Sequence, residues 1–555
     1  MINKNDEFNI TITDMSDTGA GIGKADGFTW FVKDAVIGDH VLAAATKIKK
    51  SYGFARLVRV ISPSADRIMP PCPEARRCGG CQLQQLDYHA QLHFKEQKVL
   101  NDLKRIGGFE NAESYMEPII GMEEPFRYRN KAVYPIGRNR DGKIIAGFYA
   151  GRTHSIIECE DCLLGSDENQ RILGIIIGFM EKRGITPYDE NDGSGTVRHV
   201  LIRKGFGTGE LMICLVINKD RLKYSDELCS ILRGELPELR SFSLCVNKER
   251  TNVIMGTRLI NIYGPGYIED LIYDRSGVCA AHSGSTDHSP DQLYSSDGIA
   301  SDTGRSFGAD SHPDAKHPTD TIFSDESGCV LPAARTREAS CVLDAEQTRE
   351  AIPVRFRVSP LSFFQVNSVQ MERLYSTALE YAGLTGNENV WDLYCGVGTI
   401  SLFLARHCAH VYGVEIIPEA IENAKENAAL NSITNAEFFT GKAEEVLPEW
   451  YSEYFAADAA DAADNNRVDV IVVDPPRKGC DPMCLDTMVK IAPDRIVYVS
   501  CDPATLARDL RFLCDNGYRI ERVRPCDMFP QTVHVETVVL LSHKIQTDKT
   551  VSFCR

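Results

Sequence analysis

A chain of 555 residues with 43% hydrophobic and 25% charged residues has the make-up of a globular protein of several domains. Its formal charge of −17 excludes a polypeptide that coats nucleic acid through overall positive charge, so any contact with RNA or DNA has to be local. There is no apolar run of roughly eighteen residues and no signal-peptide pattern in MINKNDEFNI. The nineteen cysteines therefore read as reduced thiols, metal ligands or catalytic groups in a cytoplasmic protein.

Residues 6–62 alternate apolar and polar positions in FNITI, TWFVK, HVLAAAT and ARLVRVI, broken by DTGAGIG and ADG. Several short strands in so few residues predict a small barrel of the oligonucleotide-binding kind. Its late segment mixes Lys47, Lys49, Lys50, Arg56 and Arg59 with Tyr52 and Phe54. Cations that hold phosphates and rings that stack bases suit single-stranded RNA, although a solvated basic edge strand has the same composition.

Cys72, Cys78 and Cys81 place three thiols in ten residues. Four soft ligands make a [4Fe–4S] cluster or a tetrahedral zinc site, and Cys159 and Cys162 are the candidates for the fourth. Helical spacing follows in QLDYHAQLHFKEQKVLNDLKRIG, and strand-like runs (KAVYPIG, KIIAGFYA, RHVLIRK, LMICLVIN, FSLCVN) give an α+β unit as far as 265. Arg127, Arg129, Lys131, Arg198, Arg203 and Lys204 are expected to line one RNA-facing surface together with the barrel cations. Residues 274–352 are rich in Ser, Asp, Gly, Thr, His and Pro, with fourteen acidic residues against six basic ones, and read as a disordered acidic insertion. A shorter Ala/Asp insertion spans 455–467.

From about 354 strands alternate with helices, which predicts a parallel sheet covered on both faces. NVWDLYC runs into Gly396-Val397-Gly398 and a helix, and the next strand ends in Glu415, placed to bond two ribose hydroxyls. This pattern resembles the first S-adenosylmethionine motif; a dinucleotide fingerprint would need a third glycine, and position 401 is Ser. VDVIVVD delivers Asp474-Pro475-Pro476-Arg477-Lys478-Gly479, whose cations suit a substrate phosphate, and RIVYVSC delivers Cys501 to the same carboxyl rim. His534 and Glu536 share a face of a strand-like run. A thiolate that adds to carbon 6 of uracil makes carbon 5 nucleophilic, and a base must then remove the carbon 5 proton. Cys501 and Glu536 are the candidates for these two roles. The Asp-Pro loop holds no second cysteine, which favours uracil over cytosine.

FRVSPLSFFQVN, WDLYCGVGTISL, VVDPPRKG, VYVSCDPATLARDL and DMFPQTVHVETVVLL occur in the order of the RNA uracil-5-methyltransferase family, which the chain resembles, as does FRYRNKAVYPIG upstream. The resemblance implies a TRAM barrel at 1–65, a central domain with iron–sulfur cysteines at 66–265, and a Rossmann-like S-adenosylmethionine methyltransferase domain at 354–555. It implies Cys501 as nucleophile, Glu536 as base, Gln365, Tyr394, Glu415 and Asp474 as cofactor-binding residues, and Cys162 as the fourth cluster ligand. A TRAM barrel together with the cysteine set is similar to the branch acting on 23S ribosomal RNA. Transfer RNA as substrate, a nonenzymatic RNA-binding or assembly protein, and an iron–sulfur redox protein with another nucleotide are the alternatives.

Overall fold

The computed structural model describes residues 2–151, 153–275, 353–456 and 467–544. Apart from their edges, the insertions expected at 274–352 and 455–467 lie outside the described residues. No described helix is long and apolar enough to cross a membrane.

Five strands, β1 (Glu7–Met15), β2 (Gly21–Ala25), β3 (Phe28–Lys33), β4 (His40–Ile48) and β5 (Tyr52–Ser62), close into a barrel in the order β1-β2-β3-β5-β4. Ile10, Ile12, Trp30, Val32, Val41 and Ala43 fill it. A Cβ at Gly53 would stand 2.3 Å from the Trp30 ring, so only glycine lets β5 cross this core residue. Asp39 is buried and accepts from Arg67 and from the N–H groups of Val36 and Ser64. Burial pushes its carboxyl up, but these partners hold it below the usual value and pin the chain leaving the barrel.

Helix α1 (Tyr88–Arg105) follows, with the Asp87 carboxylate accepting from the N–H of His89 and Lys104 and Arg105 in its last turn. A seven-stranded sheet is built from β6 (Lys131–Arg138), β7 (Ile144–Tyr149), β8 (Ile156–Glu158), β9 (Val197–Lys204), β10 (Leu211–Ile217), β11 (Leu239–Val246) and β12 (Arg258–Tyr263), in the order β12-β11-β10-β9-β6-β7-β8. Helices α2 (Glu168–Arg183) and α3 (Ser225–Glu235) contribute to its core. Every residue of β10 is buried.

Strand β13 (Ile268–Ile272) pairs antiparallel with β14 (Val354–Val358), with Ile272 opposite Val354. The two chain ends flanking the long insertion thus stand side by side. Helix α4 (Ser368–Ala382) is capped by Asn367, which accepts from the N–H of Gln370, and ends on the left-handed Gly383.

The second seven-stranded sheet contains β15 (Asn389–Leu393), β16 (His410–Glu415), β17 (Ala436–Thr440), β18 (Val470–Val473), β19 (Arg495–Ser500), β20 (Tyr518–Cys526) and β21 (Glu536–His543). Its order is β17-β16-β15-β18-β19-β21-β20, parallel through β19, with β21 antiparallel to both its neighbours. Helices α5 (Thr399–Leu404), α6 (Pro418–Leu430), α7 (Ala443–Ala456), α8 (Pro482–Ile491) and α9 (Pro503–Asp515) alternate with these strands. The result is the expected arrangement of a small barrel, a central α+β region and a doubly wound sheet. Helix α5 is shorter than the TISLFLARHC run suggests, ending at Leu404.

Candidate active site

Tyr394 follows β15 with φ 70°, Gly396 with φ 58° and Gly398 with φ 80°. At Gly398 a Cβ would also stand 3.2 Å from Ala424 and 3.3 Å from Phe438, so the turn is left-handed and close-packed at once. Glu415, at the end of β16, accepts from the N–H groups of Gly396 and Ile417 at 3.2 and 3.1 Å. The parallel pairing of β15 with β16 and β18 therefore brings Tyr394, Glu415 and Asp474 to one rim. Below them Asp392 is buried and accepts from Ser401 Oγ at 2.5 Å; burial pushes its carboxyl up to about 7.

Gln365 arrives from the segment between β14 and α4. Asn130 holds that segment, donating from Nδ2 to the Gln365 carbonyl at 2.8 Å and to Ser368 Oγ at 2.9 Å. The side chain of Gln365 is almost fully buried.

Ser500 of β19 lies opposite Thr537 of β21. One further step in that antiparallel register sets Cys501 beside Glu536. Glu536 is 4% exposed, whereas Cys501 keeps part of its surface open. Burial pushes the Cys501 thiol up to about 12, reinforced by Glu536 and Asp474 and opposed by Arg477. Burial also pushes Glu536 up to about 8, with Asp474 adding to the rise, and Asp474 itself up to about 7.

Strand β21 begins at Glu536, so His534 belongs to the preceding loop and does not share a strand face with the glutamate as expected. Burial lowers His534 to about 4, helped by Arg477, Lys98, Lys95 and Arg129. The Asp474 loop is carried by α9: Thr505 Oγ1 donates to the Arg477 carbonyl at 3.1 Å and Arg508 Nη2 to the Lys478 carbonyl at 3.0 Å. Both Arg477 and Lys478 side chains stay exposed.

The loop between β20 and β21 is fixed by residues the sequence reading passed over. Lys95 of α1 meets Asp527 at 2.5 Å, both side chains fully buried, and also donates to the Phe529 carbonyl. Gln91 bonds Gln531, Tyr88 bonds Asp527, Tyr128 donates to the Pro530 carbonyl, and Asn367 donates to the Met528 carbonyl. The signal was present: Gln91, Lys95, Val99 and Leu103 recur every fourth residue, so polar groups sit on the buried stripe of α1. Their partners lie more than four hundred residues away, and no local pattern names them.

Cys72, Cys78, Cys81, Cys159 and Cys162 line one cavity of about 400 Å³ together with Glu74, Arg129, Lys131 and Val366. Among the described residues no group of three or more His, Cys, Asp or Glu side chains is gathered closely enough for one metal ion. The thiols surround a space, which is the arrangement a multi-iron cluster asks of four separate thiolates. The loop carrying Cys162 is gripped by Arg127, itself at φ 54°, which bonds Asp161 in two places and the Cys162 carbonyl at 3.0 Å.

Two of the central cations expected to face RNA are buried instead, and two more are held in ion pairs. Arg203 is 1% exposed and Arg198 5%, the latter over the Tyr188 ring and bonded to the Asn247 and Glu249 carbonyls. Lys204 pairs with Glu168, and Arg127 with Asp161 and Asp167. By contrast Lys47, Lys49, Lys50, Arg56 and Arg59 of the barrel are all exposed. Beside them Phe31, Tyr52 and Phe54 form a trio with ring centroids 5.5 Å apart.

A glycine turn and an acid at the ends of adjacent parallel strands, with Asp474 beside them, fit the adenosine and ribose of S-adenosylmethionine. Residues 329–544 match the tRNA (uracil-5-)-methyltransferase family model, and residues 3–58 match the TRAM domain. An uncharacterized RNA methyltransferase of Halalkalibacterium halodurans is 40% identical over 98% of each chain, and one of Clostridium acetobutylicum 40% identical over 97% of this chain and 98% of its own. The fold is similar to that of the Pyrococcus abyssi tRNA (uracil-54, C5)-methyltransferase bound to S-adenosyl-L-homocysteine. That likeness has a TM-score of 0.64 at 24% identity and covers 96% of this chain and 99% of the other. The chain belongs to the RNA uracil-5-methyltransferase family, with an RNA substrate and S-adenosylmethionine as methyl donor.

Proposed function

We propose that the protein methylates carbon 5 of a specific uridine in 23S ribosomal RNA through a transient bond between Cys501 and carbon 6. The adjacency of Cys501 and Glu536 across β19 and β21 carries this reading. Cys501 gives its thiol proton to water at its open surface as the sulfur bonds to carbon 6, and the electron pair of the carbon 5–carbon 6 double bond moves onto carbon 5. S-adenosylmethionine would supply the methyl group that carbon 5 takes up, its sulfur keeping the electrons of the broken bond and leaving as S-adenosylhomocysteine. Glu536 then accepts the carbon 5 proton, the ring regains its double bond, and the sulfur leaves as thiolate. Gln365, Tyr394, Glu415 and Asp474 would hold the donor at the strand rim, and Arg477 would meet the nucleotide phosphate. The target base has to leave its stack to reach this rim.

In this reading residues 1–65 grip RNA, 66–265 carry the cysteine set and 354–555 perform the transfer. Cys72, Cys78, Cys81 and Cys162 would hold a [4Fe–4S] cluster in their shared cavity, where it would brace the central region. The barrel together with this cysteine set favours ribosomal over transfer RNA. Two experiments test the proposal. RNA substituted with 5-fluorouridine should trap a covalent adduct at Cys501, because fluorine at carbon 5 cannot be removed as a proton; full turnover on normal RNA without such an adduct would end the covalent scheme. Mass-spectrometric mapping of 5-methyluridine in a deletion strain should show its loss from 23S ribosomal RNA and not from transfer RNA.

A further inference from the structure

Among the described residues, the wall of the cysteine cavity holds two cations that no carboxylate pairs with. Arg129 and Lys131 both line it. Arg129 reaches it from the stretch before β6, its N–H donating to the Leu164 carbonyl at 2.8 Å, two residues past Cys162. Its side-chain Nε is buried without a hydrogen-bond partner. Lys131 opens β6 opposite Arg203 of β9, so the nearest charge across the ladder is another cation. Arg203 is fully buried, with Nε and Nη1 unpartnered and Nη2 given to the Ser362 carbonyl at 3.0 Å. The cavity lining contains one carboxylate, Glu74, and it faces Arg77 at 3.0 Å. Asp161 is held by Arg127, and Asp270, beside Arg203, accepts from the N–H groups of Gly207 and Leu271.

Half-burying two cations against a cavity with no acid to pair them is unfavourable unless the cavity itself contains negative charge. Thiolates around an iron–sulfur core supply it, since four of them outweigh the charge of the iron and sulfide they bind. We infer that Arg129 and Lys131 are the counter-charge of this cavity and set both the retention and the reduction potential of a net-anionic tetrathiolate cluster. Adding an electron to such a cluster makes it more negative, so a facing cation favours the reduced form. This inference rests on the cluster reading above.

The full-length protein, reconstituted anaerobically with ferrous iron and sulfide, is assayed for bound iron and sulfide and for midpoint potential in a dye-mediated titration. If the wild type binds no iron, the cluster reading itself fails. If it does, Lys131→Met and Arg129→Met should each keep their circular dichroism and either release iron or move the potential downwards. The expected change is about tenfold in the reduced-to-oxidised ratio at fixed potential, which is about 59 mV for one electron. Lys131→Arg should stay near the wild type. Iron content and potential equal to wild type in Lys131→Met would overturn the inference. If Lys131→Met does not fold, Lys131→Gln and Arg129→Gln are judged by the same criterion.

Discussion

The two seven-stranded sheets treat charge in opposite ways. In the methyltransferase sheet the central strands are mostly apolar, as in the wholly buried VIVV of β18, with Asp392 of β15 a buried exception, and the candidate site groups come at or just past the carboxyl ends: Tyr394, Glu415, Asp474 and Cys501. In the central sheet β9 carries Arg198, His199 and Arg203 within the strand, and all three are buried; burial lowers His199 to about 4. A polar residue at a strand end keeps access to a ligand, whereas the same residue inside a strand covered on both faces becomes part of the scaffold. Basic residues in a sequence therefore announce an RNA surface only where the fold leaves them outside, as on β4 and β5 of the barrel.

The comparison breaks most severely if the strand-end groups prove dispensable. Glu536→Gln should reduce turnover by about 10²–10⁴-fold and, because methyl transfer precedes proton removal, should accumulate RNA covalently attached at Cys501. A denaturing gel with labelled RNA reads this; normal turnover would remove Glu536 from the mechanism. Next in size is the buried pair on α1. Lys95→Met leaves Asp527 uncompensated and should cost roughly 3–5 kcal/mol in denaturant unfolding, since breaking one side of a buried pair strands the other charge. A loss under about 1 kcal/mol, the scale of an exposed pair, would show that this contact does not hold the catalytic loop.

The pH profile sharpens the same contrast. Glu536 must be ionised to accept a proton, so turnover should climb as pH rises through about 8. Stability runs the other way. Between the ordinary carboxylate value and about 8 the folded protein keeps a proton that the unfolded chain has released, so stability falls as pH rises through that window. Glu536→Gln should lessen this fall, so that the drop in Tm between pH 6 and pH 8 is smaller than in the wild type. A smaller effect separates the two kinds of cation. Lys49→Ala should weaken RNA binding uniformly and reduce the slope of log affinity against log salt by about 1, while Arg203→Met should leave the slope unchanged. The smallest effect is expected from deleting 276–350. With Ile272 opposite Val354, a short turn can join β13 to β14, and methyl transfer should stay within about twofold to threefold of wild type.

Sequence alone determined what is local. The barrel, the alternation of strand and helix and the glycine turn after β15 were all legible, because periodicity and turn residues act over a few neighbours. Tertiary structure alone decided which groups meet and which are shielded. It placed Glu536 beside Cys501 through the antiparallel register of β21, fixed the loop between β20 and β21 with Lys95 from far upstream, and closed five cysteines around one cavity. It also buried Arg198 and Arg203, which the sequence presents like any surface cation. The physical reason is that desolvation and ion pairing depend on what packs against a side chain, and those neighbours are chosen by the whole fold.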